Sequence, residues 1–282
     1  MFGMLLLLSP SIVFSASAKT DVDAITHFIK QYSKPETQSK VSPRTPFPKT
    51  EGATVTRLAN NLLQLDYEGF TVWLDCEKRA AIKFRYNAQR DTGSFKRSSN
   101  FYLDKKVPKE CQQYSGKSYK AKNQRYDRGH LVPANHLDYS KSSIKATNTM
   151  TNILPQAANM NRGAWLLTEE IIECYREIDE LLIIGGVIWG DNSEDDYFVK
   201  SHGVRTPDAF WKVIIRGTGS NERVIAWIVP NSQLAKRKQL DKYLVTIDEI
   251  ESITDEKIPV VDYAKHDKPR SSWMIPRGCN KG

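Results

Sequence analysis

The chain has 282 residues, of which 40% are hydrophobic and 26% are charged. This composition is typical of a globular protein and excludes a largely disordered or membrane-embedded chain. A formal net charge of +8 produces a positive field that attracts polyanions, including nucleic acids. Many basic proteins never bind nucleic acid, so the charge alone favours such a partner only modestly.

The first 50 residues predict a segment that is separate from the folded domain. Residues 1–18 contain a short apolar core and end in Ala16-Ser17-Ala18, which is typical of a secretory signal peptide, although no Lys or Arg precedes the apolar run. Residues 19–50 predict a short helix, Asp23–Tyr32, followed by a Pro-rich linker. We therefore expect one domain at residues 51–282. No later stretch is long and apolar enough to span a membrane, so no membrane contact is expected after signal cleavage.

Four cysteines, Cys76, Cys111, Cys174 and Cys279, lie in the predicted domain. An even number of cysteines in an exported chain predicts disulfides, and three pairings are open. A zinc site is disfavoured because no two cysteines lie close together in the sequence.

Short apolar or alternating runs predict β-strands along the domain. They are Leu62–Tyr67, Phe70–Leu74, Ala80–Tyr86, Leu181–Ile188, Phe210–Ile215 and Val224–Val229. The stretch from Arg90 to Lys122 is polar and irregular. Hydrophobic residues at helical spacing predict a helix from Asn161 to about Asp179. Thr246 and Glu249 predict a capping box for a later helix. The order of elements predicts an α+β domain with an antiparallel sheet.

The stretch between residues 126 and 169 concentrates polar side chains. It contains Asp127-Arg128-Gly129-His130, Asn152-Ile153-Leu154-Pro155-Gln156 and Asn161-Arg162-Gly163-Ala164-Trp165, and ends at Glu169. These residue types suit the hydrolysis of a phosphodiester, which needs an activated water, neutralised phosphate charge and a stabilised leaving oxygen.

Each task has a candidate residue in this stretch. His130 can accept a proton near neutral pH because the ordinary pKa of histidine is about 6.5. Arg128 can pair with a phosphate through its planar fork. The amide oxygen of Asn161 suits Mg²⁺, and Glu169 could hold a metal-bound water because it lies two helical turns later.

A structural interpretation is open for every one of these residues. A single histidine is more often structural than catalytic, and Asp127 could simply pair with Arg128. Asparagines such as Asn152 and Asn161 are common in turns and helix caps. Glu169 could be a solvated charge on a helix surface.

The three segments occur together and in register, and in this they resemble the DNA/RNA non-specific endonuclease family, which has a ββα-metal core. Phe210-Trp211-Lys212-Val213 and the segment around Thr246 also resemble later parts of that family. The resemblance covers roughly residue 55 to the C-terminus. It implies an α+β fold with antiparallel sheet and a ββα-metal nuclease core.

The resemblance also implies roles for individual residues. His130 would be the general base, and Asn161 would be the protein ligand of a single hydrated Mg²⁺, with Mn²⁺ as a substitute. Arg128 would contact the phosphate, Asn152 would support the region of the base, and Glu169 would hold a metal-bound water.

Two positions align less closely with the family. The family places an arginine upstream of the motif, and Arg97 is the candidate for this substrate-binding role, with Arg85, Arg90 and Lys96 as rivals. Family members commonly carry an arginine four residues after the helix glutamate, but this chain has Glu173 there. Arg176, nearly one turn later, is the candidate substitute.

We therefore expect a secreted or periplasmic, metal-dependent endonuclease that acts on DNA and RNA with little sequence preference. The alternative is a catalytically weakened protein of nuclease fold that binds nucleic acid or other polyanions. A zinc hydrolase is disfavoured because His136, His202 and His266 lack a zinc-ligand spacing. A homodimer is compatible with the sequence, and no inhibitor partner is indicated.

Overall fold

A computed structural model describes residues 52–191 and 193–281. The predicted signal peptide at residues 1–18, and the helix and linker at residues 19–50, lie outside the described residues. Within the described part of the chain, no helix has both the length and the apolar character needed to cross a membrane.

In the described part of the chain, ten β-strands form two antiparallel sheets. They are β1 (Thr54–Arg57), β2 (Leu62–Tyr67), β3 (Phe70–Asp75), β4 (Ala80–Ala88), β5 (Lys120–Ala121), β6 (Gln124–His130), β7 (Ile153–Ala157), β8 (Leu181–Ile188), β9 (Ala209–Arg216) and β10 (Arg223–Pro230). The larger sheet has the order β1-β2-β3-β4-β8-β9-β10, and the smaller has the order β5-β6-β7. All six predicted strands are confirmed, and with them the predicted antiparallel sheet.

The helices in the described residues are short. They are α1 (Lys141–Ala146), α2 (Leu166–Arg176), α3 (Val199–His202), α4 (Ile247–Thr254) and α5 (Asp262–Lys265). One-turn and 3₁₀ segments occur at Lys109–Cys111, Ala134–Leu137, Met150–Asn152, Ala158–Met160, Gly219–Asn221 and Arg237–Tyr243. The predicted capping box of α4 is confirmed, because the Thr246 and Glu249 side chains each bond the other residue's backbone N–H.

Strand β8 is buried along its whole length because both faces of the sheet are covered there. Ile183 faces one core, which includes Ile171 of α2. Leu182 and Ile184 face a second core, which includes Ile250 of α4. The continuous apolar run that predicted this strand is therefore explained by its central position between two helical layers.

The predicted helix from Asn161 to Asp179 differs from the observed one at both ends. Asn161–Trp165 forms a π-helical turn, and α2 begins only at Leu166 and ends at Arg176. The turn packs against the backbone of residues 235–237, since a Cβ at Gly163 would lie 2.9 Å from the Arg237 nitrogen. Single π-helical turns of this kind are often found at functional sites.

The Asp127-Arg128-Gly129-His130 motif lies in strand β6, which the sequence analysis did not predict. Its partner β7 contains Pro155, which is opposite Arg128. Proline is tolerated there because β7 is the edge strand of the smaller sheet. Strands β6 and β7 and the helical segment that follows form the ββα unit that the family resemblance implied.

The prediction of disulfides is confirmed, and the structure selects one of the three pairings. Cys76 bonds to Cys111, and Cys174 bonds to Cys279. The second disulfide attaches the C-terminal segment to α2, the helix that carries Glu169.

Candidate active site

The two motif residues Arg128 and His130 lie on the same face of β6 because they are two positions apart in a strand. Both contact one aromatic ring. The Arg128 guanidinium lies 3.9 Å from the centroid of Phe101, and the His130 ring lies 5.5 Å from it. Gly129 between them is required by packing, because a Cβ there would lie 2.2 Å from the buried Gln156 side chain.

The orientation of the His130 imidazole is fixed by Asn148. The Asn148 amide nitrogen donates to the carbonyl oxygens of Ser98 at 2.7 Å and Asn100 at 3.0 Å. Its Oδ1 therefore faces the His130 Nε2, 2.9 Å away, and must accept a hydrogen bond from it. In the neutral imidazole the proton is on Nε2, and Nδ1 keeps the lone pair that a general base needs.

The environment of His130 keeps the imidazole neutral. His130 is only 8% exposed to solvent. Burial and the positive charges of Arg97 and Arg128 lower the pKa of His130 to about 3, while the hydrogen bond to Asn148 opposes that shift. The pKa is thus well below the ordinary histidine value of about 6.5 that the sequence alone suggests. The imidazole is unprotonated at neutral pH.

Arg97 lies in the electrostatic environment of the same site. Its positive charge acts on His130 and on Glu169. Burial lowers the pKa of Arg97, the negative charge of Glu169 raises it, and Arg128 lowers it further. Arg90, one of the alternative candidates for the substrate-binding role, instead pairs with the carboxylate of Glu177 at 3.8 Å.

Asn161 is oriented by Asp127. The Asn161 amide nitrogen donates to the Asp127 carboxylate at 2.9 Å, and Arg162 holds the same carboxylate with contacts of 2.6 and 2.8 Å. The structural alternative in which Asp127 pairs with Arg128 is therefore wrong. With its nitrogen on Asp127, Asn161 keeps its oxygen for another partner.

Glu169 is half-buried, and the positive charge of Lys212, a residue of β9, acts on its carboxylate. The Lys212 ammonium is fully buried, donates to the Thr168 hydroxyl at 2.8 Å and lies 3.7 Å from the centroid of Trp165. Burial raises the pKa of Glu169, and the positive charges of Lys212 and Arg97 oppose that shift. Burial also lowers the pKa of Lys212 to about 8, with Glu169 opposing.

Glu173 and Arg176 form a separate buried cluster. Arg176 bonds the Glu173 carboxylate at 2.5 Å and pairs with Asp91 at 3.2 Å. The other oxygen of Glu173 lies 3.2 Å from Nε2 of His136, and burial raises the pKa of Glu173 to about 7. Arg176 thus pairs within this cluster, and the cations that act on Glu169 are Lys212 and Arg97.

Asn152 lies behind the site and binds backbone. Its fully buried side chain accepts from the Val132 nitrogen at 3.0 Å and donates to the carbonyl oxygens of Val132 and Thr147, both at 2.9 Å. It therefore fixes the chain that follows His130, while Asn148 contacts the imidazole itself. Asn148 was not among the predicted site residues, because it lies outside the three motif segments and follows α1 without a local pattern that marks it.

The residues at the site fit a hard divalent cation. The oriented amide oxygen of Asn161 and the half-buried Glu169 are oxygen donors, which Mg²⁺ prefers. Among the described residues, no group of three or more His, Cys, Asp or Glu side chains is arranged to hold a metal. A cation here would thus depend on few protein ligands and on water, which is common for Mg²⁺.

Several known proteins are similar to this chain in sequence. A nuclease from Nostoc sp. is 30% identical over 172 residues, which cover 57% of this chain and 60% of that protein. Human mitochondrial endonuclease G is 28% identical over 136 residues, covering 45% and 46%. A Serratia marcescens nuclease is 29% identical over 133 residues, covering 45% and 48%. The chain spans about half the length of these curated relatives.

The fold is also shared with a solved structure. The crystal structure of the EndoG/EndoGI complex contains a chain that aligns with a TM-score of 0.56 at 16% identity, covering 72% of this chain and 88% of that one. At this identity the likeness shows the fold alone. A family model for DNA/RNA non-specific endonucleases matches residues 51–267, which is more than half of the chain. The chain therefore belongs to the DNA/RNA non-specific endonuclease family.

Proposed function

We propose that this chain is an endonuclease that hydrolyses phosphodiester bonds of DNA and RNA, with His130 as general base and Mg²⁺ as cofactor. The observation that carries the proposal is the hydrogen bond from His130 to Asn148, which leaves Nδ1 unprotonated beside two arginines. Membership of the nuclease family supports the reaction class.

His130 takes the proton of the attacking water at Nδ1. Its lowered pKa ensures that the lone pair is free at neutral pH, but it also makes the imidazole a weak base. Substrate binding changes this balance. A phosphate between Arg97 and Arg128 neutralises the positive charges that lower the pKa of His130, so the base becomes stronger when the substrate is present.

Arg128 and Arg97 bind the non-bridging oxygens of the scissile phosphate. Arg128 is held for this task from two sides, since its guanidinium stacks on Phe101 and donates to the carbonyl oxygen of Gly116 at 2.9 Å. A fixed guanidinium loses less conformational entropy on binding than a free one.

Asn161 would hold Mg²⁺ through its side-chain oxygen, and Glu169 would accept hydrogen bonds from a water of the ion's hydration shell. When bound, Mg²⁺ or a substituting Mn²⁺ neutralises the charge that develops on the leaving oxygen. Asp127 fixes the Asn161 amide, and Lys212 supports the negative charge of Glu169.

The proposed substrates are DNA and RNA without sequence preference, because contacts to phosphates carry no sequence information. The two disulfides support an oxidising compartment, so we place the protein outside the cell or in the periplasm. The solved relative is a complex of EndoG with EndoGI. A protein inhibitor of this chain is therefore a partner worth testing by co-purification.

A plasmid degradation assay on purified residues 19–282 tests the proposal. Supercoiled DNA should be nicked and then fragmented in Mg²⁺, cleavage should stop in EDTA, and added Mg²⁺ should restore it. Binding of the plasmid without any cleavage would instead support the alternative of a catalytically weakened, polyanion-binding protein. Undiminished cleavage in EDTA would exclude the role proposed for Asn161.

A further inference from the structure

A cavity of about 1010 Å³ opens directly beside Arg128. Its wall includes Arg128 and Phe101 from the candidate active site, and Lys117 and Lys120 from the segment that precedes β6. This volume is at the upper end of the roughly 300–1,000 Å³ that is usual for small-molecule sites. The cavity therefore extends the active site well beyond the space that one phosphate needs.

The cavity is positively charged. The described residues that line it include Arg128, Lys117 and Lys120 and no carboxylate. The side chains of Lys117 and Lys120 are exposed, and neither forms an ion pair with any residue that the structure describes. Because no carboxylate in the described part of the chain neutralises these ammonium groups, they can bind an anion that enters the cavity.

Hydrogen bonds connect the segment that carries Lys117 to Arg128 and His202. The carbonyl oxygen of Gly116 accepts from Arg128 at 2.9 Å, and the carbonyl oxygen of Lys117 accepts from Nε2 of His202 at 3.0 Å. Nearby Tyr119 is 4% exposed, and its ring packs against the His202 ring with the two planes tilted by 50°. The Lys117 backbone and the Arg128 guanidinium thus belong to one hydrogen-bonded unit, so the fold places the base of the Lys117 side chain near Arg128.

Among the described residues that line the cavity, no aromatic ring offers a free surface on which a base could stack, and the His202 ring in the wall is buried. Phe101 lines it, but the Arg128 guanidinium covers the Phe101 ring at 3.9 Å. The other polar groups in the wall include the hydroxyls of Ser115 and Ser118. Ammonium and hydroxyl groups bind phosphates and sugars, whereas recognition of single-stranded bases usually needs exposed aromatic rings.

We propose that this cavity is a subsite for the sugar-phosphate backbone of the substrate strand next to the scissile phosphate. Lys117 and Lys120 bind the flanking phosphates in it. The proposal rests on the proposed function, because it takes Arg128 as the contact to the scissile phosphate. A subsite that contacts only the backbone accepts any base sequence.

Binding measured without cleavage tests the subsite most directly. Fluorescence anisotropy with a labelled single-stranded DNA compares His130→Ala with His130→Ala/Lys117→Ala/Lys120→Ala over a range of salt concentrations. In the triple variant, the dissociation constant at low salt should be roughly tenfold or more above that of His130→Ala. The steepness of the plot of log K against log salt should decrease by about 0.7 for each lysine that contacts a phosphate.

The matched control removes two lysines on the opposite face of the larger sheet. Lys257 and Lys268 are each 49% exposed and lie beside carboxylates of α4. The variant His130→Ala/Lys257→Ala/Lys268→Ala has the same net charge but should keep the original salt slope. Equal slopes in all three proteins, or equal losses in the two lysine variants, would overturn the proposal.

A second readout uses the active enzyme. Bis(4-nitrophenyl) phosphate is a substrate without flanking phosphates. The kcat/KM for long DNA, divided by that for bis(4-nitrophenyl) phosphate, should be lower in Lys117→Ala/Lys120→Ala than in the wild type. The same ratio should be unchanged in the control Lys257→Ala/Lys268→Ala. An unchanged ratio would contradict the subsite. If the wild-type chain cleaves neither substrate, the proposed function fails, and the salt slopes still decide whether the cavity binds a backbone.

Discussion

The Nε2 atom of His130 donates to the Oδ1 atom of Asn148 across 2.9 Å, and the Asn148 amide cannot turn over without losing its two bonds to backbone carbonyls. This relationship leaves Nδ1 as the nitrogen with a free lone pair, which is the atom that the proposed mechanism uses as the base. It links the chemistry of β6 to the loop of Ser98 and Asn100, which belongs to the irregular segment that also carries Arg97.

Replacing Asn148 with leucine should lower kcat about 10²-fold, within the range that a general base contributes. The near-isosteric side chain keeps the volume but removes the acceptor, so the imidazole can rotate and adopt the other tautomer. KM for DNA should change much less, because Asn148 does not contact the phosphate. Steady-state kinetics measure both, with circular dichroism as the folding control. A kcat near that of the wild type would show that Asn148 does not position the base.

Replacing Lys212 with methionine should lower kcat/KM about tenfold, because the Glu169 carboxylate loses a cation that favours its charged form. Methionine suits the apolar surroundings. In a Glu169→Gln background, the Lys212→Met substitution should lower kcat/KM much less, because Lys212 acts through Glu169. Kinetic constants of the four proteins give this double-mutant cycle. Strictly additive losses would mean that Lys212 only stabilises the fold.

Replacing Glu173 with arginine, the residue common in the family, should destabilise this chain by about 3–5 kcal/mol. The new guanidinium would lie beside Arg176 in a buried cluster, where Glu173 is now 2% exposed. The midpoint temperature of thermal unfolding should be lower in Glu173→Arg than in the wild type. It should decrease less in Glu173→Gln, because glutamine keeps a hydrogen-bond acceptor. An equally stable and more active arginine variant would favour the idea that Glu173 marks a weakened enzyme.

Replacing Arg97 with methionine should move the acidic limb of the kcat/KM profile to higher pH. The base is active only when neutral, so activity is lost as pH falls through the pKa of His130, now about 3. Removing the positive charge of Arg97 raises this pKa and also that of Glu169. Arg90→Met, at an exposed arginine paired with Glu177, is the matched control. An acidic limb at the same pH as in the wild type would show that the charge of Arg97 does not act on His130.

The fold was largely predictable because its strands carry local signals. The apolar run of β8 and the alternating β4 predict strands whatever surrounds them. The break at the π-helical turn was not predictable, because it depends on the backbone of residues 235–237 packing against Gly163. Strand β6 is polar and was missed, since its pairing with β7 is a tertiary property.

The site was predictable where motif residues lie in register and not where partners come from distant elements. Asn148 follows α1, and Lys212 lies in the apolar strand β9, so neither has a local pattern that indicates its role. Arg176 shows the converse case. Its position in the helix predicts a substitute for the family arginine that is missing at Glu173, but its guanidinium pairs with Glu173 and Asp91 instead.

Single-turnover cleavage of DNA by His130→Ala, with binding measured on the same protein, tests the central claim most directly. Cleavage should fall by at least about 10²-fold, the minimum expected for loss of a general base, while the dissociation constant for DNA stays close to that of the wild type. Cleavage near the wild-type rate would contradict His130 as the base, whatever the other variants show.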